Sequence, residues 1–176
     1  MPKSAASIVK PKKATSKKAS TKKGATKSVA KASSTKKKDP LYIKYEDKSA
    51  GQPEMVLIFE AIKKLMKPYH KKGTMLYHED KGGQIHLISH KAIEVEGRKK
   101  PMVWFVSTII QKGYVGFYYM PIYMNDPMKK LFSPEFIKCL KGKACFHIKK
   151  AEPIIMDDIK KAIQVGYEAY EKRGWV

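Results

Sequence analysis

A chain of 176 residues in which 37 lysines and arginines face 16 acids carries a formal charge of +21. That length holds one domain and a tail or, barely, two small domains. No stretch approaches the roughly 18 apolar residues of a membrane span, and the N-terminus lacks the apolar core of a secretory signal, so a soluble, non-secreted protein is expected.

The charge is unevenly placed. Residues 1 to 38 hold 13 lysines, no acid and no aromatic, the rest being mostly Ala, Ser and Thr. Such a composition cannot bury enough apolar surface to outweigh ordering entropy, so a disordered tail is expected there. The remaining residues hold 24 basic and all 16 acidic side chains, hence +8 of the total. An organellar transit peptide would be Arg-rich and amphipathic, whereas every basic residue of the tail is Lys. A polycation with small spacers can follow a phosphate backbone and gain free energy from displaced counterions. Lys10, Lys12, Lys13, Lys17, Lys18, Lys22, Lys23, Lys27, Lys31, Lys36, Lys37 and Lys38 are therefore the candidate nucleic-acid contacts, for DNA or RNA, non-specific and salt-sensitive. The composition is like that of linker-histone tails and of some bacterial nucleoid proteins, and a nucleoid-associated location follows from the same reading. The alternatives are a solubilising tail or one that meets anionic lipid. No amphipathic helix or lipidation signal accompanies the lysines, and no membrane partner is expected.

Residues 39 to 52 introduce the first aromatics and acids and read as a linker or arm, with Tyr42 and Tyr45 free to pack. Pro53 and Glu54 suit a helix's first turn, and Met55, Ile58, Phe59, Ile62, Leu65 and Met66 then form one apolar stripe. Pro68 and Gly73 end that helix. Thr74 to Tyr77 begin a strand, 79 to 83 read as a turn, and Gln84 to Ser89 as a second strand. His86 and His90 lie about 13 Å apart along it at ~3.3 Å per residue, too far to share an ion. With His78 they read as exposed strand histidines.

Residues 91 to 101 form a polar, hairpin-like connection with a basic tip at Arg98, Lys99 and Lys100. Met102 to Ile110, almost wholly apolar, predict a central strand covered on both faces. Within the run KGYVGFYYMPIYM, Tyr114 to Tyr119 return as its antiparallel neighbour, placing Val115, Phe117 and Tyr119 on one side and Gly116 and Tyr118 on the other. Gly116 marks a close approach, a bulge or tight packing. Tyr118, Tyr119 and Tyr123 are either base-stacking groups or part of a core edge. Ser133-Pro134-Glu135 opens a helix to Leu140, Gly142 stops it, Ala144 to Lys149 form a strand, and a terminal helix follows Pro153 and closes at Gly174.

The segments KGYVGFYYMPIY, SPEFIKCLKGKACFHIKK and GYEAYEKRGWV, in that order, resemble the bacterial YdhG-like family, a domain of unknown function. The resemblance spans 53 to 176 and leaves the lysine tail outside. It implies a small α+β sandwich similar to frataxin: an antiparallel sheet of about five strands in the order α-β-β-β-β-α-β-α, with helices on one face. Some members are described as iron chaperones, and frataxin-like iron binding is attributed to acids along the first helix and its neighbouring strand. Here the matching helix carries Lys63, Lys64 and Lys67 against Glu60, so the iron role does not transfer to these residues.

Three functional readings follow. The first is a non-catalytic protein that associates with nucleic acid through its tail. The second is a small-ligand or metal-binding domain with a solubilising tail, its candidate ligand residues being Tyr118, Lys143, His147 and Lys149. The third, an enzyme, finds no support: Ser107, Ser133, Cys139 and Cys145 lack a recognisable nucleophile setting, and no phosphate-cradling loop or acid-base carboxylate pair is present. Catalytic residues, cofactors and metal ligands are accordingly not assigned. Cys139 and Cys145 match no zinc or redox spacing and suit a reducing compartment, which points to the cytoplasm.

Overall fold

In a computed structural model of the chain, residues 45 to 176 are described; the lysine tail and Tyr42 lie outside them. Pro53 and Glu54 open helix α1 (Pro53–Met66), whose stripe of Met55, Ile58, Phe59, Ile62 and Met66 is buried as the periodicity predicts. Two hairpin strands follow, β1 (Met75–Lys81) and β2 (Gln84–Ser89). The turn between them is tighter than the composition suggests. Strand pairing continues to Lys81↔Gln84, and only Gly82 and Gly83 turn, at φ +64° and +72°. Two consecutive positive φ values match the right-handed twist of a hairpin and are cheapest for glycine.

The basic connection is itself a hairpin, β3 (Ile93–Val95) and β4 (Arg98–Lys100), forming a separate two-stranded sheet. Then β5 (Val103–Gln111) and β6 (Tyr114–Tyr119) pair antiparallel. Strand β6 covers Tyr114 to Tyr119 as expected, and the rest of the run KGYVGFYYMPIYM leaves the sheet. Pro121 lacks an amide hydrogen for the ladder, and Met120–Met124 instead turn into a short helix, α2, with the proline in its first turn. A 3-10 segment (Asp126–Leu131) leads to α3 (Pro134–Lys138), strand β7 (Cys145–Ile148) and the long helix α4 (Pro153–Lys172).

The main sheet has five antiparallel strands in the order β1-β2-β5-β6-β7, and the fold is α+β. Helices α1 and α4 cover one face. There Phe117 lies between Tyr119, Phe136 and Phe146, while Tyr170 of α4 sits 5.1 Å from Phe105 and donates to Trp104 O at 2.8 Å. Between Leu87 and Ile88 the β2–β5 register slips. Val106 and Trp104 pair with them and leave Phe105 as the extra residue of a bulge. Gly166 is required where α4 crosses Tyr119, since a Cβ there would stand 2.5 Å from the tyrosine hydroxyl. Gly174 ends α4 at φ +68° and folds Trp175 back against Tyr170, and Ser89 Oγ donates to Trp175 O at 2.5 Å.

Of the arm, Tyr45 donates its hydroxyl to Ile110 O at 2.8 Å, and Gln52 Oε1 accepts from Gly113 N at 2.6 Å. Residues 45 to 52 are thus fastened along the β5–β6 hairpin. Among the described residues no helix is long and apolar enough to cross a membrane.

Candidate functional site

Strand β7 is the last of the sheet, and what happens along its outer edge builds the site. Ser133 caps α3, its Oγ accepting from Phe136 N at 3.2 Å, and Asp158 Oδ2 accepts from Ser133 N at 3.0 Å. Phe136 stacks on Phe146 with ring centroids 4.2 Å apart and planes 7° from parallel, which pins α3 to β7. The expected helix to Leu140 stops at Lys138, because the next residues run back along the strand. His147 N donates to Cys139 O at 2.8 Å and Lys141 N to Cys145 O at 2.7 Å. A strand edge left open would template pairing with other chains; here three residues close it.

The closure leaves a concavity of about 480 Å³ between the end of α3, β7 and the start of α4. Lys138, Lys141, Lys149 and Lys150 line it with Cys139 and His147, and Glu135 and Glu152 stand at it as well. None of the four lysine ammonium groups makes an ion pair or hydrogen bond among the described residues. Burial, then Lys141 and Lys149, hold the His147 imidazole below its usual pKa, so it stays neutral at pH 7 and can both donate and accept. Burial likewise raises both thiols: Cys139, with Glu152 adding to the effect, and Cys145. Both are thiols at neutral pH rather than thiolates. Chemically the cleft is a shallow cationic bowl with a hydrogen-bonding imidazole, suited to an oxyanion.

Of the four candidate ligand residues the structure unites two. His147 and Lys149 line the cleft together. Lys143 faces a neighbouring groove, its ammonium 5.3 Å from the Tyr123 ring. Tyr118 lies one row away on the sheet, paired with Cys145. Lys138, Lys141 and Lys150 were missed because their approach depends on the 139 to 141 segment returning along β7, for which no periodicity signals.

Tyr118 belongs to the sheet face that neither α1 nor α4 covers. Its ring lies over Gly116, where an added Cβ would meet it at 2.8 Å, so the glycine serves tight packing within the sheet. Burial, then Cys145, pushes the Tyr118 hydroxyl up to about 12. Pairing aligns His78, His86, Ser107, Tyr118 and Cys145 in one row across all five strands. The reading of exposed histidines fails for His86, which is fully buried, with Nδ1 unpartnered and Nε2 3.4 Å from Gln84 Oε1. Desolvation, then His78, lowers its pKa to about 4. Cross-strand pairing sets the two rings 6.5 Å apart, a proximity that spacing along one strand cannot reveal. No group of three or more His, Cys, Asp or Glu is placed to hold a metal ion among the described residues.

Beside α1 a second groove is lined by Glu60, Lys63, Lys64, Lys67, His70 and Tyr77. That groove is mainly basic. Compared with models of known families, with curated proteins and with solved structures, the chain matches none.

Proposed function

We propose that the protein is a non-catalytic, nucleic-acid-associated binding protein of the cytoplasm, in which the lysine tail supplies non-specific affinity and a YdhG-like domain adds a second contact. The observation that carries this is the tail itself: 13 lysines in 38 residues without one acid. The β7 cleft supports it, because its four lysine ammonium groups make no ion pair among the described residues and outnumber the two acids there. Neutralising about 8 phosphates gives a slope near −7 in log affinity against log salt. Mobility shifts of the full chain and of a chain lacking residues 1 to 38, at rising salt, test the reading. The full chain is expected to bind with that steep slope and the truncated chain far more weakly. Equal, salt-insensitive binding, or none, would sink it.

The concavity favours one further reading, a small anionic ligand, since its size falls within the range of small-molecule sites. Thermal melting of the wild type and of Lys141→Gln with inorganic phosphate, pyrophosphate and a nucleotide tests it. A rise in melting temperature for the wild type alone supports that reading.

A further inference from the structure

The sheet face turned away from α1 and α4 carries an aromatic cluster. Tyr114 stacks on His147 at 3.8 Å and 14°, and the Tyr118 ring lies over Gly116, the cross-strand partner of His147. All three rings are half-buried, in contrast to the fully buried Phe117, Tyr119 and Phe146 of the other face. A stacked pair leaves the outer face of each ring uncovered by its partner. His147 also lines the lysine cleft, so the aromatic surface and the cationic bowl are continuous through one residue. At the opposite end Lys48 Nζ donates to Gln111 Oε1 at 2.7 Å, and Gln111 is paired with Tyr114. Strands β2, β5, β6 and β7 contain no carboxylate at all.

We propose that this face binds single-stranded nucleic acid, with bases stacking on Tyr114 and Tyr118 and the backbone phosphates passing toward Lys141 and Lys149. The inference rests on the nucleic-acid reading above and narrows it to unpaired strands. The physical reasons are two. Every base offers a π face that an aromatic platform can stack, whereas in a duplex those faces are already taken by neighbouring bases. The strands that carry the cluster, β5, β6 and β7, contain no carboxylate, and lysines outnumber the acids Glu135 and Glu152 at the adjoining cleft, which favours a phosphate chain. A polycationic tail by itself draws on backbone charge alone, so preference for a single strand must come from the folded face.

The experiment uses the full chain and fluorescence anisotropy with labelled 15-nucleotide oligothymidine and a 15-base-pair duplex, at low salt and at roughly 0.3 M salt, where tail contacts weaken. The wild type is expected to hold the single strand better than the duplex at the higher salt. Tyr114→Leu and Tyr118→Leu are each expected to weaken single-strand binding about 5-fold or more and leave duplex binding unchanged, while Tyr118→Phe keeps the wild-type affinity. As a measurement that does not depend on variant folding, the Gly116 and His147 amide resonances of the wild type should move on adding oligothymidine. Unchanged affinity in both leucine variants, equal losses for single strand and duplex, or unmoved resonances overturn the inference. Salt-sensitive binding at low salt would still stand in those cases and preserve the tail reading; absence of any binding at low salt defeats both.

Discussion

The two faces of the five-stranded sheet share strands and alternation, yet they differ in chemistry. Beneath α1 and α4 lie Val115, Phe117, Tyr119, Phe146 and Ile148, all fully buried. One residue away on the same strands stand Gly116, with no side chain, and Tyr118, Cys145 and His147, which each carry a polar atom. The difference teaches that alternation divides labour here: one set of side chains forms the apolar core, and the other presents half-buried aromatic and polar groups.

Neighbouring residues on β7 give the sharpest way to break that contrast. Phe146→Ala removes a ring stacked on Phe136 and is expected to cost about 3–5 kcal/mol, whereas Cys145→Ala, facing the other way, should cost under ~1.5 kcal/mol. Urea unfolding of both variants checks this, and similar losses would erase the distinction.

The next effect in size tests the one histidine that crosses the division, being buried on the helix-free face. Its folded pKa of about 4 lies below the unfolded value of 6.5, so as pH falls the unfolded chain takes up the proton first. The stabilisation is complete above pH 6.5 and is lost progressively between 6.5 and 4. By pH 5 the loss should reach roughly 2 kcal/mol. His86→Gln should flatten this part of the pH profile of urea midpoints; an equally steep profile in the variant would assign the dependence elsewhere.

Smaller again is the cap that holds α3 over the cleft. Ser133→Ala forfeits the bond from Phe136 N and is expected to destabilise by about 1 kcal/mol, read as a lower thermal midpoint. The least effect concerns charge alone. Lys141→Gln removes one of the cations that hold His147 down, so the imidazole pKa should rise in an NMR titration, with the midpoint of unfolding nearly unchanged. A pKa that does not move would separate Lys141 from the cleft.

Most of the fold was legible in the sequence because its elements are amphipathic. Met55, Ile58, Phe59 and Ile62 at helical spacing could bury only one stripe, and the serine, proline and acid at 133 to 135 announce α3 in any context. Where the reading overran, a local device intervened. Strand-like pairing by residues 139 to 141 overrode the last turn of α3, which stops at Lys138 rather than Leu140. The site was only half legible. His147 and Lys149 are two apart in one segment, but Lys138, Lys141 and the Tyr114–His147 stack depend on which strands become neighbours.

By itself the sequence determined three things: that charge is concentrated in residues 1 to 38, that an α+β domain follows, and which side of each strand is apolar. These depend on composition and on periods of 3.6 and 2, which are local properties. Only the tertiary structure decided that Tyr114, Tyr118 and His147 gather on a helix-free face, that His86 is buried beside His78, and that four lysines meet around one bowl. Those outcomes depend on strand order and register, contacts between residues far apart in the chain, for which local periodicity holds no signal.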